Sequence, residues 1–182
     1  MKISKTSIPN LLIIQPNVFE DERGYFFESY NKNKFNIEGI NYEFVQDNES
    51  MSQKGVLRGL HFQNPPYAQA KLVRVIKGAA LDVAVDIRKN SATYGQHYTI
   101  ELSEINKTMM FIPEGFAHGF LTLADNTIFS YKCTQVYNKS SENTILWNDP
   151  DLNINWGITG PVLSEKDKNA QTFKDFTKPP LQ

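Results

Sequence analysis

The sequence predicts an all-β fold, a β-barrel or jelly roll with extra strands at its N-terminus and short helices toward its C-terminus, and three of its features carry that prediction. From residue 40 onward, β-branched and aromatic residues cluster in short runs. Turn pairs such as Lys77-Gly78, Tyr94-Gly95 and Asp125-Asn126 separate those runs. Asp82 to Arg88 alternates polar and apolar residues, which puts Val83, Val85 and Ile87 on one face of an extended strand. A helix would not keep those side chains together.

Taken in order along the chain, Leu11 to Ile14 and Gly24 to Tyr30 read as the additional N-terminal strands, and Asn31 to Ile37 as a short helix. Gly55 to Gln63 is strand-like, with Arg58 and His61 interrupting apolar neighbours. Lys71 to Ile76, Asp82 to Arg88, His97 to Leu102, Thr108 to Ile112, Gly119 to Leu123 and Ile128 to Thr134 follow as strands. A second helix opens at Ser164, where Ser164-Glu165-Lys166-Asp167 offers a serine cap and acidic residues in the first turn. So many strands leave many edges, and closing a sheet is the usual way to remove them. Strands outside a small barrel need an edge elsewhere, so the N-terminal strands are expected to cross to the sheet of a second copy in a homodimer.

Composition bounds the function. The chain has 182 residues with 19 Lys plus Arg against 20 Asp plus Glu, a formal net charge of -1. That length reads as a single domain over 1–182, large enough to bury roughly 70% of its unfolded surface without metal or disulfide support. The near-neutral balance argues against nucleic acid or an anionic membrane as partner. The longest apolar runs, such as Leu11 to Ile14, fall far short of the roughly 20 residues that span a bilayer. Met1 to Asn10 lacks the apolar stretch of a secretory signal, and Cys133 is the sole cysteine, so a cytoplasmic location is expected.

Three histidines can be weighed singly. His97 has polar or aromatic neighbours and reads as surface. On its own, His61 reads as a partly buried histidine satisfied by a backbone carbonyl. His118 ends Pro113-x-Gly115-x-x-His118, which has the shape of the second cupin motif, a turn that aims a histidine into a small barrel. Metal-binding cupins add a His-x-His motif and an acid, because a divalent ion needs three or four converging ligands. Here the matching stretch is His61-Phe62-Gln63, so no metal site and no cofactor are expected. Lys71 and Arg74 flank Leu72-Val73, so strand alternation sends one of these cations to the inward face. Arg23, Glu28, Gln46, Asn48 and Lys132 punctuate aromatic-rich segments, where any one of them alone reads as part of a solvated sheet face.

Together, Gly55 to His61, Lys71 to Val75, Asp82 to Arg88, Ile112 to Phe120 and Tyr131-Lys132 closely resemble the dTDP-4-dehydrorhamnose 3,5-epimerase family of nucleotide-sugar epimerases. The resemblance runs from Asp21-Glu22-Arg23-Gly24 to Leu163 through Asp167. It implies a metal-free, cupin-like jelly-roll homodimer acting on a dTDP-linked 4-keto-6-deoxyhexose, converting dTDP-4-dehydro-6-deoxy-D-glucose to dTDP-4-dehydro-L-rhamnose. It further implies that His61 is the base, Asp167 its partner and Tyr131 the acid, with Lys71 and His118 near the keto sugar and Arg58 near the diphosphate. Arg23, Glu28, Gln46, Asn48, Glu142 and Lys166 match positions that hold the nucleotide or frame the substrate, some of them supplied by the partner subunit. A related 3- or 5-epimerase, or a 3,4-ketoisomerase of another deoxysugar, is the alternative.

The residue types suit that chemistry independently. Breaking a C–H bond next to a ketone requires stabilising the enolate as it forms, which a fixed ammonium in a dry site can do. Histidine starts near the neutral pKa a base needs, and a carboxylate on its other nitrogen fixes the tautomer and raises that pKa. Inverting a carbon needs a proton to arrive on the face opposite the one it leaves, and a phenol can deliver it.

Overall fold

In the computed structural model, which describes residues 1–177, strands dominate. They run β1 (Lys2–Lys5), β2 (Leu12–Gln15), β3 (Phe19–Asp21), β4 (Gly24–Phe26), β5 (Gln46–Ser52), β6 (Leu57–Gln63) and β7 (Lys71–Lys77). β8 (Ala79–Asp86), β9 (His97–Ser103), β10 (Met109–Ile112), β11 (Phe116–Thr122), β12 (Thr127–Cys133) and β13 (Glu142–Thr144) follow. Helix is limited to α1 (Lys32–Ile37), α2 (Glu165–Lys168) and α3 (Phe173–Thr177). The expected domain over 1–182 extends past these residues; 178–182 lie outside the described chain.

A six-stranded sheet, β1-β2-β10-β7-β12-β5, faces a five-stranded one, β13-β6-β11-β8-β9. Neither closes by hydrogen bonds, so the barrel is a sandwich of two open sheets, which is how a jelly roll is built. The core between them takes Val73 and Val75 from β7, Met110 and Ile112 from β10, and Phe129 from β12. Ala80, Ala84, Phe116 and Phe120 come from the opposite sheet. Phe120 and Phe129 stack across the interface, with centroids 4.0 Å apart and planes 3° from parallel.

Part of the outer face of each sheet is covered as well. Val83, Val85 and Ile87 share one face as the alternation predicts, and they pack under a C-terminal layer that includes Ile145, Leu152 and Trp156. The alternate residues of β8, Asp82 and Asp86, are not solvated; they point with Ala80 and Ala84 into the sandwich and are fully buried. On the six-stranded sheet, Leu72, Met109 and Phe111 lie under Phe35 of α1 and Ile40. Asn31 caps α1 by accepting from the Lys34 amide, and Ser164 caps α2 by accepting from Asp167.

Two expectations for the N-terminus need correction. Leu11 to Ile14 does not cross to another copy: β2 lies between β1 and β10 of its own sheet, and both of its edges are paired. Gly24 to Tyr30 is not one long strand, because only Gly24–Phe26 is extended and it pairs with β3 in a separate hairpin. Its charged turn and short length limit the ladder, and Phe27 onward turns back over the outer face of β7, where Arg74 sits 5.6 Å from the Phe27 ring.

Asp86 anchors the loop after β8. Its carboxylate accepts from Arg88 Nε at 2.8 Å, Ser91 Oγ at 2.6 Å and Thr93 Oγ1 at 2.7 Å. Burial opposes its ionisation, but these donors prevail and lower its pKa from 3.8 to about 2. The folded-state pKa is depressed, so the stabilisation is complete above the unfolded value and is lost as pH falls through the folded one. Asp86→Asn is expected to lower unfolding free energy by about 2 kcal/mol near neutrality. In denaturant titrations at a series of pH values, that difference should be constant above about pH 4 and shrink toward pH 2. A difference that persists unchanged in acid would contradict the assignment.

Candidate active site

The inner face of the sandwich is apolar at one end and ionisable at the other, and β6 makes the ionisable end possible. On a regular strand, Arg58 and His61 would point to opposite faces. Here His118 pairs with His61 and Phe120 with Arg58, so β6 spends one more residue than β11 between the same two rungs. This β-bulge turns both Arg58 and His61 inward while Leu57, Leu60 and Phe62 all pack in the outer core. Glycine is required at its centre: Gly59 has φ 136°, and a Cβ there would sit 2.4 Å from the Gly119 Cα.

His118 arrives on β11 through the Pro113-Glu114-Gly115 turn. Gly115 has φ 82°, and a Cβ there would meet Arg88 Cγ at 2.5 Å. His118 Nε2 lies 2.7 Å from Asp82 Oδ1. Of the two cations flanking Leu72-Val73, Lys71 is the inward one, 8% exposed, while Arg74 faces outward. Tyr131 and Cys133 follow Phe129 on the inner face of β12, where Cys133 is the register partner of Lys71. The Lys71 ammonium lies 6.0 Å from the Tyr131 ring centre.

The chain returns to β6 to complete the site. Val162 bridges to Val56 beside β6, and α2 then sets Asp167, buried, with Oδ1 2.6 Å from His61 Nε2. Glu142 of β13 pairs in register with Gln63 and accepts from Lys166 Nζ at 2.7 Å. On the opposite wall, Gln46 Nε2 donates to Asn48 Oδ1 at 3.0 Å, and Asn48 reaches Cys133 Sγ at 3.6 Å. Arg58 stands at the mouth and donates from Nε to Ser52 Oγ at 3.1 Å.

Burial sets the protonation states. It lowers the pKa of His61 more than the hydrogen bond and charge of Asp167 raise it, so the imidazole is a free base at neutral pH. The raising contribution of the carboxylate is present, as the sequence suggests, and desolvation outweighs it. Burial opposes ionisation of Asp167, but the hydrogen bonds from His61 and Ser164 prevail and lower its pKa. An ionised Asp167 accepts the Nε2 proton, which leaves Nδ1 as the basic nitrogen of His61. Desolvation pushes the Tyr131 phenol up, so it holds its proton. It also pushes the Lys71 ammonium down.

The structure thus brings His61, Asp167, Lys71, His118, Tyr131, Arg58, Gln46, Asn48, Glu142 and Lys166 to one end of the sandwich. It does not bring Arg23 or Glu28 there within a single chain. Arg23, with an 85% exposed side chain, pairs with Asp21 inside the hairpin, and Glu28 pairs with Lys34 at 2.8 Å. Two neighbours carry no role in the sequence reading. Asp82 is there only a polar member of the alternating Asp82 to Arg88 stretch, and the structure buries it on the face it shares with Ala80 and Ala84. Tyr137, exposed at the rim, sits 3.3 Å through its hydroxyl from Glu142, and only the fold reveals that proximity. His97 is half-buried and hydrogen-bonded to the Leu152 backbone rather than free on the surface. Among the described residues, no three His, Cys, Asp or Glu side chains are grouped to hold a metal ion.

A jelly-roll sandwich with a histidine–carboxylate pair, a phenol and an ammonium converging between its sheets defines an acid–base enzyme that works on protons next to a polarised group. The sequence profile of dTDP-4-dehydrorhamnose 3,5-epimerase matches residues 5–175, and the chain belongs to that family. It is 53% identical to dTDP-4-dehydrorhamnose 3,5-epimerase of Shigella flexneri over 176 residues, 96% of this chain and 97% of that one. The crystal structure of the epimerase from Elizabethkingia anophelis superposes with a TM-score of 0.92 at 54% identity, covering 96% of this chain and 97% of the other. That of the Legionella pneumophila enzyme, in complex with dTDP-4-keto-L-rhamnose, gives 0.90 at 48% identity over 94% and 92% of the two chains.

The His61–Asp167 contact is directly testable. Because Asp167 raises the His61 pKa, Asp167→Asn is expected to lower it further, and the ring titration followed by NMR should move to lower pH. An unmoved or upward-shifted titration would mean that the carboxylate does not govern this imidazole.

Proposed function

We propose that the protein converts dTDP-4-dehydro-6-deoxy-D-glucose to dTDP-4-dehydro-L-rhamnose by inverting C3 and C5, with His61 as base and Tyr131 as acid. The observation that carries this reading is their placement on facing sheets. His61, oriented by Asp167 at 2.6 Å, belongs to the five-stranded sheet, and Tyr131 to the six-stranded one. A sugar ring lodged between them meets a base on one face and a proton donor on the other, which is what inversion demands.

His61 Nδ1 takes the proton from the carbon next to the ketone, and the electron pair of the broken C–H bond moves into an enolate on O4. The Lys71 ammonium stabilises that oxygen, with His118 beside it. Tyr131 delivers its proton to the opposite face of the same carbon, solvent returns one to the phenolate, and His61 gives the proton it took to solvent and is a base again. Repeating the cycle at the second carbon on the other side of the ketone completes the conversion. No step calls for a metal or cofactor. Membership of the family and the sugar nucleotide bound by the Legionella relative support the substrate class.

With a net charge of -1, long-range attraction for a diphosphate is slight, so its binding falls to close cations. Arg58 at the mouth has the fork that matches two phosphate oxygens, and Lys166 adds a point charge. Gln46, Asn48 and Glu142 frame the sugar and base. We place Arg23 and Glu28 in the site of a second copy, within a homodimer. The hairpin that carries Arg23 exposes Phe19 and Phe26 by 65% and 70%, and among the described residues β5 leaves one edge of the six-stranded sheet unpaired. The whole chain acts as one domain in this reading. A cytoplasmic setting suits the free, buried Cys133.

Incubation with dTDP-4-keto-6-deoxyglucose in deuterated water, followed by NMR, tests the reaction. Deuterium should enter at C3 and C5, and His61→Asn should reduce both exchanges by about 10³-fold while leaving dTDP binding nearly intact. Exchange at one carbon only would identify a mono-epimerase, and undiminished exchange in the variant would remove His61 from the role of base. Light scattering should give about twice the 20.8 kDa chain mass, and a fully active monomer would refute the shared site.

A further inference from the structure

Inside the sandwich, two side chains of opposite charge type have atoms without a hydrogen-bond partner among the described residues. Lys71 is 8% exposed, and its Nζ makes no hydrogen bond to another described residue. Asp82 is fully buried, and although Oδ1 holds His118 Nε2 at 2.7 Å, Oδ2 has no hydrogen-bond partner among the described residues. They interact electrostatically without forming a direct ion pair.

An ammonium removed from water tends to discharge, by up to about 3–5 pKa units when it is alone. The groups facing Lys71 from each neighbouring element leave few anions to prevent this. Cys133 on β12 is its register partner, but burial pushes the thiol up, so at neutral pH it brings no charge. Tyr131 on the same strand is pushed up as well. On β10 the register partner is Ile112, which is apolar. Glu142 on β13 is bound by Lys166 of α2, and that lysine disfavours a second positive charge nearby. His61 on β6 is a free base engaged with Asp167, and His118 on β11 is engaged with Asp82. Asp82 on β8 is the remaining carboxylate, and its Oδ2 accepts no hydrogen bond among the described residues.

We propose that Asp82 is a positioning residue that anchors His118 through Nε2 and supplies the counter-charge that keeps Lys71 an ammonium inside the sandwich. The inference rests on the reading of Lys71 as the donor to the developing enolate. A carboxylate beyond the reach of substrate thereby maintains the charge of the group that touches it.

Asp82→Asn tests this, since the amide keeps the shape and can still accept from His118 while the charge is lost. Removing a nearby negative charge lowers the Lys71 pKa, so the lysine should lose its proton at lower pH. The alkaline limb of the kcat profile is therefore expected to move to lower pH, with kcat near the optimum falling about 10²-fold and dTDP affinity unchanged. A limb that stays in place, whatever happens to kcat, overturns the proposal, because a merely structural aspartate would leave it there. Should the variant fail to fold, the wild-type protein still decides the matter. With ¹⁵N-labelled lysine, the Lys71 resonance, identified by its loss in Lys71→Arg, should report an ammonium at neutral pH, and a neutral amine would overturn the proposal. The NMR result needs no substrate, so an inactive wild-type enzyme would undo the functional reading alone.

Discussion

The site depends on one extra residue in β6. At Gly59 and Gly119 two backbones come closer than any Cβ would allow, and the resulting bulge changes which side chains of β6 face inward. Without it, a guanidinium and an imidazole three positions apart would lie on opposite faces of the sheet. With it, Arg58 stands at the mouth and His61 stands deeper, both on the inner face. Leu57, Leu60 and Phe62 keep the outer core intact on either side of the irregularity. The apolar packing of the sheet and its chemistry are thus satisfied by the same stretch, a compromise that a regular alternating strand cannot reach.

Burial does the next part of the work. Desolvation disfavours whichever form of a group is charged, so one environment pushes its residents in opposite directions. The imidazole is pushed toward the free base and the phenol toward the protonated form, which are the states a base and an acid need before a reaction starts. The same push acts against Lys71, whose proposed role requires the charged form. A dry site that improves two of its groups therefore harms the third unless a negative charge lies close by. Asp167 is committed to His61 and Glu142 to Lys166, and that division of partners gives the fully buried Asp82 its importance.

Much of the architecture was legible in the sequence because the signals were local. Alternation in β8, the Lys77-Gly78 and Asp125-Asn126 turns, and the Ser164 cap each produced the element that local physics requires. The strand β5 was not legible: Gln46-Asp47-Asn48-Glu49-Ser50-Met51-Ser52 is almost wholly polar and holds its place by pairing with β12. The fate of β2 was likewise invisible, since choosing between its own β10 and the edge of another chain depends on distant geometry. The family resemblance supplied His61 with Asp167, although 106 positions separate them and no periodicity could connect them. Asp82 receives no role from the sequence, because alternation distinguishes the two faces of β8 without saying that both are covered there.

Facing sheets explain why this architecture suits stereochemical inversion. A base and an acid on neighbouring strands of one sheet would approach a ring from the same side, and a proton removed and returned there would restore the starting configuration. A sandwich offers two walls whose side chains point toward each other, so groups on β6 and β12 address opposite faces of whatever lies between them. Neither group needs to move far, because one wall supplies the departure of the proton and the other its arrival. The ammonium of Lys71 is on the same wall as Tyr131 and its Asp82 counter-charge is on the wall of His61, so the electrostatic support for the enolate also spans the gap. In the proposed reaction both the proton transfers and the stabilisation depend on the spacing of the sheets, across which the Phe120 and Phe129 rings stack.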